Sequence, residues 1–320
     1  MPCIFAASLS ENYDMRIAHL SDLHLSPDHY PERSDAFYEI LHTCKTLSVD
    51  HIVITGDITN QARPKEFSHA RSILQDCGFL DPAKLTVTIG NHDIFGGPYY
   101  AEDVLTFPGS CKKTDYHSKI KEFTDAFRET FKGCKYVAGA SIFPFVKIIK
   151  DVALVGINSV AQWNTLSNPL GSNGEVEKHQ LKKLDEIFSG EMLKGKTVLV
   201  LIHHHFNKLE AKKSSGHLER LWHAIESSTM KLRNKKKLFK MFRSAAVSKV
   251  LHGHVHHHHR YTRKDIKFLN AGGTMFANES GPRRFHLLNV QNSSIEHTTV
   301  NIEKHHFSKR SIFTAGTAVQ

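Results

Sequence analysis

The chain of 320 residues has few cysteines, no long apolar run and no acidic excess, and each shortage removes a class of protein. No stretch approaches the roughly 18 consecutive apolar residues of a membrane span. Met1 to Ser10 is mildly apolar but lacks the basic start and long apolar core of a signal peptide, so no leader is expected there. The five cysteines, Cys3, Cys44, Cys77, Cys111 and Cys134, form an odd, scattered set without a Cys-x-x-Cys pair. That argues against a disulfide framework and a cysteine zinc site, and it fits a reducing cytoplasm. Internal repeats and long low-complexity linkers are missing too. We therefore expect one domain over residues 15–302, an extension over 1–14 and a tail over 303–320.

Positive charge and histidine are what the chain has in excess. The 42 Lys and Arg against 32 Asp and Glu leave a net +10. That balance favours anionic partners such as phosphate esters, nucleic acid or acidic membrane surfaces. There are 24 histidines, and they are clustered.

Met15–Leu20, His51–Thr55 and Leu85–Ile89 read as strands. Between them, Phe37, Ile40, Leu41, Cys44 and Leu47 follow helical spacing, and a second helix opens at Pro64 and stops before Gly78. This alternation predicts an α/β layered fold. Further on, Phe145–Ile149 and Val152–Ile157 suggest a hairpin around Lys150-Asp151. Val198–Ile202 and Val247–Leu251 read as strands, and Tyr261–Leu269, Phe285–Val290 and Ile295–Ile302 as antiparallel pairs. A two-sheet sandwich with outer helices accommodates all of them.

Five polar clusters follow these strands: Asp22-Leu23-His24, Gly56-Asp57, Gly90-Asn91-His92-Asp93, His203-His204-His205 and Gly253-His254-Val255-His256. Strand ends on one sheet edge converge in space, where α/β folds place their ligands. Carboxylates, an amide oxygen and imidazoles gathered there suit a pair of first-row divalent metals better than Mg²⁺ or Ca²⁺, which prefer all-oxygen shells. In extended backbone, residues i and i+2 point the same way, so Asp22 with His24, and His254 with His256, can each face one centre. A carboxylate such as Asp57 can bridge two cations about 3.5–4 Å apart.

Taken in order, these clusters resemble the calcineurin-like metallophosphoesterase superfamily. The resemblance implies a four-layer αββα sandwich with a dinuclear metal site at the strand ends, filled by two divalent metal ions, Mn²⁺ or Fe ahead of Zn²⁺. It implies that Asp22, His24, Asp57 and His256 hold one metal, and that Asp57, Asn91, His203 and His254 hold the second. His92 would contact the phosphate or protonate the leaving alkoxide, with Asp93 orienting or polarising it. The family usually reads His-His-Pro-Pro where this chain has His203-His204-His205-Phe206. The first histidine after the strand is normally the ligand, which favours His203 over His204. His257, His258 and His259 match no family position and read as solvated or supporting histidines.

Asn158-Ser159, Gly174-Glu175-Val176, Gln180-Leu181 and Leu269-Asn270-Ala271-Gly272-Gly273 resemble segments of class III cyclic-nucleotide phosphodiesterases. That implies hydrolysis of a small-molecule phosphodiester with two metals and a hydroxide nucleophile, cyclic nucleotides being one candidate substrate. Residues 208–243 form a basic insert with 11 Lys/Arg and 3 Asp/Glu. Its bland reading is a solvated helical pair in which Leu218, Leu221, Trp222 and Ile225 make one apolar face. Its sharper reading is a lid that docks on anionic lipid, which keeps a pyrophosphohydrolase of a UDP-linked lipid A precursor as an alternative. Nucleic acid ranks third, because no stacking array of aromatics runs along the basic patch. A non-catalytic scaffold would have lost metal ligands, and here every ligand type is present.

Overall fold

In the computed structural model the described residues are 13–98, 103–136, 141–207, 230–275 and 282–302. They form strands β1 (Met15–Leu20), β2 (His51–Thr55), β3 (Leu85–Thr88), β4 (Lys135–Tyr136), β5 (Phe145–Ile149), β6 (Val152–Ile157), β7 (Thr197–Ile202), β8 (Lys249–His252), β9 (His259–Arg263), β10 (Ile266–Asn270), β11 (Arg283–Gln291) and β12 (Ser294–Ile302). The helices are α1 (Glu32–Thr46), α2 (Pro64–Asp76), α3 (Asp103–Lys113), α4 (Tyr116–Ala126), α5 (Lys178–Ser189) and α6 (Lys235–Ser244).

The central strands are apolar on both faces because both faces are covered. In β1, Ala18 and Leu20 face one core, which they share with Phe37 and Ile40 of α1 and Phe67 and Ile73 of α2. Met15 and Ile17 face another, shared with Leu154, Leu199, Leu201 and Leu251 of the opposite sheet. On β7, Val198, Val200 and Ile202 pack on Leu184 of α5 and Leu238 and Phe242 of α6. Three apolar interfaces separate four layers, which is the αββα sandwich. One sheet runs β12-β11-β1-β2-β3, the other β4-β5-β6-β7-β8-β10-β9. Strands β1–β3 pair in parallel, as do β6, β7, β8 and β10. Crossovers through α1, α2 and α5 meet the length that parallel pairing requires.

The hairpin β5–β6 and the antiparallel pairs β9–β10 and β11–β12 form as the alternation predicted. Three helices escaped the sequence reading. Pro108 lies inside α3, where a proline ordinarily argues against a helix. Helix α4 has a readable cap, since Asp115 accepts from the backbone N–H groups of His117 and Ser118. Helix α5 has a readable stripe, Leu181, Leu184, Ile187 and Phe188. In the basic insert, α6 buries Leu238, Phe239 and Phe242 in the outer layer. Lys235 Nζ there donates to the Phe206 carbonyl at 3.0 Å, so this lysine braces the layer. The face expected from Leu218 to Ile225, most of the N-terminal extension and the 303–320 tail lie outside the described residues. No helix among the described residues is long and apolar enough to cross a membrane.

Candidate metal centre

All five polar clusters begin where a parallel strand ends: β1, β2, β3, β7 and β8. The first two loops are stitched together, with Asp22 N–H donating to Gly56 O at 3.1 Å and His24 N–H to Asp57 O at 2.9 Å. Asp22, His24, Asp57 and His254 have φ of 57°, 44°, 52° and 73°. Each left-handed residue that is not glycine costs about 1–3 kcal/mol, so the surrounding fold holds these side chains against local preference. Glycine is needed beside them. Gly56 has φ 92°, and a Cβ there would meet His203 Nδ1 at 2.6 Å. A Cβ on Gly90 would stand 2.2 Å from Asp57 Oδ1.

Two donor sets result, with Asp57 between them. In the first, His24 Nε2 lies 3.1 Å from His256 Nε2 and 3.7 Å from Asp57 Oδ2, and His256 Nε2 lies 3.6 Å from Asp22 Oδ1. In the second, His203 Nε2 lies 3.3 Å from Asp57 Oδ2, 3.1 Å from Asn91 Oδ1 and 3.2 Å from His254 Nδ1. All seven expected ligands are thus brought together. His256 is exposed and His92 half-buried, so the cluster opens to solvent on their side.

The chemistry of the second set calls for a cation. His203 Nδ1 donates to the Thr55 carbonyl at 2.8 Å, which leaves Nε2 of the neutral ring as a lone pair facing Asn91 and Asp57 oxygens. Either a proton or a metal must lie between these acceptors. Without metal it is the proton: burial disfavours the imidazolium, yet Asp57 and then Asp22 outweigh it and raise the His203 pKa to about 9. Burial, with the Asp57 charge adding to it, lifts Asp22 to about 7, a tendency that a bound cation reverses. Donors about 2.1 Å from one ion stand about 3 Å apart at right angles, close to the spacings seen here. The residues fit two such ions.

His92 Nδ1 donates to the Asn60 carbonyl at 3.0 Å, which turns Nε2 away from that backbone. Its backbone N–H donates to Asp57 Oδ1 at 2.8 Å. Asp93, expected to orient or polarise this ring, is engaged elsewhere. Its Oδ1 accepts from Thr59 N–H at 2.9 Å and its Oδ2 from Gly90 N–H at 3.0 Å. Asp93 therefore shapes the turns that carry Asp57 and Asn91, while a backbone carbonyl orients His92. A carbonyl leaves no trace in side-chain identity, so the sequence could not point to Asn60.

His204 is buried with both ring nitrogens engaged, Nδ1 with Ser159 Oγ at 2.8 Å and Nε2 with the Ser172 carbonyl at 3.2 Å. Ser159, Asn158 and Gln180 form the wall behind the histidine loop, with Gln180 bonded twice to the Asn158 backbone. His203→Asn should cut metal content and turnover together. His204→Asn should lower thermal stability and leave metal stoichiometry near that of the parent. Metal analysis of the two variants checks this, and the reverse pattern would exchange their roles.

Among curated relatives, a component of the nuclease SbcCD of Escherichia coli K12 is 31% identical over 105 residues, 29% of this chain and 25% of that protein. A probable cyclic nucleotide phosphodiesterase of Psychrobacter arcticus is 27% identical over 110 residues, 29% of this chain and 38% of that one. The matched stretches therefore span only about a quarter to two fifths of these relatives' lengths. A dimetal phosphatase from Danio rerio shares the fold, with a TM-score of 0.57 at 12% identity over 91% of this chain and all of the other. The sequence profile of the calcineurin-like phosphoesterases matches residues 15–258. That interval runs from β1 through every donor described above, and the chain belongs to the calcineurin-like phosphoesterase family.

Proposed function

We propose that this protein hydrolyses phosphodiester bonds, a narrower reading than the phosphoric ester hydrolysis its family carries, with cyclic nucleotides as one candidate substrate. Asp22, His24, Asp57 and His256 would hold one divalent cation; Asp57, Asn91, His203 and His254 would hold the other. The supporting observation is the pair of donor sets that share Asp57, with His92 at their open side. Imidazole-rich shells favour Mn²⁺, Fe or Zn²⁺ over harder ions. When bound, two such cations supply charge neutralisation at phosphoryl oxygens and acidify a water. The remaining work belongs to the chain. Asn60 engages the Nδ1 proton of His92, so proton transfer to a leaving oxygen falls to Nε2, which gives up the second proton of the imidazolium and leaves the neutral ring protonated on Nδ1. Gly97 packs against that ring, where a Cβ would meet Cε1 at 2.1 Å. A reducing cytoplasm fits the four described cysteines, all free.

The test is turnover of bis(4-nitrophenyl) phosphate alongside metal stoichiometry; absence of turnover with both metals bound would overturn the proposal. For His92→Ala, general-acid loss predicts a fall of about 10²–10⁴-fold on alkyl diesters and a much smaller one on nitrophenyl esters, whose leaving groups need no proton. Equal losses on both would leave phosphate binding, rather than proton donation, as its role.

A further inference from the structure

The gap between the two sheets changes character at one end. Along most of its length it is filled by Leu and Val, such as Leu251, Leu269, Leu288 and Val290. Side chains alternate along a strand, so Arg284 and His286 on β11 share the face of Leu288, and His297, Thr299 and Asn301 on β12 share the face of Ile295. Across the gap, Arg260 of β9 pairs with Leu269 and so faces inward as well. The same parity turns Lys267 and Lys249 inward, two residues before Leu269 and Leu251. A cleft of about 520 Å³ opens there, lined by Arg260, Arg284, His258, His297, Thr299 and Asn301. That lies within the usual range of small-molecule pockets, about 300–1,000 Å³.

Among the described residues no carboxylate lines this cleft. Among the described residues, Arg260, Arg284, Lys249 and Lys267 make no ion pair. Like charges gathered without counter-charge raise each other's cost of burial. Their mutual field is visible at Lys249, whose pKa is lowered by burial and then by Lys267 and Arg260. His297 is brought down to about 4 by burial, then by Lys249 and Arg260. His258 Nε2 is buried with no hydrogen-bond partner. Two arginine forks, the unpartnered His258 Nε2 and the Thr299 hydroxyl, with no acid among the described lining, suit a phosphate group.

The cleft also stands at the same edge as the metal ligands. His286 pairs with His19 near the end of β1, which places Arg284 two residues further toward that edge. His259 pairs with Asn270, itself the partner of His252 at the end of β8. In each sheet the outer strand, β12 or β9, lies two strands from the one bearing ligands, β1 or β8, or about 10 Å. The two sites are physically joined. Asn270 Nδ2 donates to the Val255 carbonyl between His254 and His256, and its own carbonyl accepts from His286 Nε2. The His286 ring in turn lies against His258, with centroids 3.8 Å apart.

We propose that this cleft binds a second phosphate of the substrate, carried about one nucleoside away from the phosphoryl group at the metals. The inference rests on the proposed hydrolysis and narrows its substrate to esters bearing two phosphates. Thymidine 5′-(4-nitrophenyl phosphate) with and without a 3′-phosphate differs only in that group. The 3′-phosphorylated ester should show kcat/KM about tenfold higher, the scale of one charged hydrogen bond, through a lower KM. In Arg260→Ala/Arg284→Ala the ratio should fall to near one. A ratio near one in the parent, or a ratio kept by the double variant, overturns the second site. Binding supplies an arm independent of turnover: calorimetry of the Mn²⁺-loaded protein should give thymidine 3′,5′-bisphosphate a roughly tenfold lower Kd than thymidine 5′-monophosphate. Equal affinities overturn the site even if diesters are hydrolysed. Failure to hydrolyse bis(4-nitrophenyl) phosphate overturns the enzymatic reading instead, whatever the bisphosphate does.

Discussion

Asp57→Asn should leave a folded protein that has lost about three or more orders of magnitude in turnover and much of its affinity for both metals. The substitution keeps size and shape. Oδ1 can still accept from the His92 N–H, which it now does at 2.8 Å. What disappears is one negative charge between two donor sets, facing His24 at 3.7 Å and His203 at 3.3 Å. Metal assistance supplies several kcal/mol of charge stabilisation, and every 1.4 kcal/mol or so is a factor of ten. Burial works against the Asp57 carboxylate, yet His203 and His92 hold its pKa well below the usual value, so the wild-type group is charged throughout the working range. The check is metal content by elemental analysis with turnover of a nitrophenyl diester. Two bound metals and normal rates in the variant would remove Asp57 from the bridging position.

His51→Gln should become steadily more stable relative to the parent as the solution is acidified, with a swing of roughly 3 kcal/mol between pH 7 and pH 4.5. His51 opens β2, at the opposite end of the strand from the candidate ligand Asp57. It is buried, with Nδ1 donating to the Ala83 carbonyl at 2.7 Å and Nε2 beside Thr86 Oγ1 at 2.8 Å. Burial lowers its pKa to about 3, against the pull of the Ala83 hydrogen bond. The unfolded chain takes up this proton near pH 6.5 and the fold refuses it until about pH 3. The contribution to stability is therefore complete above 6.5 and shrinks as pH falls through that window. Near neutrality the glutamine costs about 1 kcal/mol for imperfect hydrogen bonds. The two unfolding curves should then cross in mild acid. Denaturant midpoints at several pH values read this directly, and parallel pH profiles for the two proteins would show that His51 is protonated in the fold.

The sequence alone determined the strands that carry chemistry and the donor types at their ends. Both are local properties. A strand buried on two faces must be a short apolar run, and a residue following such a run is committed to the sheet edge. Hence β1, β2, β3, β7 and β8 were legible, and with them Asp22, Asp57, Asn91, His203 and His254 as neighbours. Tertiary structure decided everything that depends on who lies opposite. Of the three histidines after β7, His203 and His204 are chemically identical in sequence; only the fold engages His204 with Ser159 and Ser172 and turns His203 Nε2 toward Asp57. Asp93 stood beside His92 in the chain, yet strand geometry gave it to Thr59 and Gly90, and the His92 ring to a carbonyl. The cationic cleft is the extreme case. Arg260, Arg284, Lys249 and His297 are scattered polar residues along the chain. They share one space because β9 and β12 are the outer strands of facing sheets, an outcome of sheet order that no local pattern records.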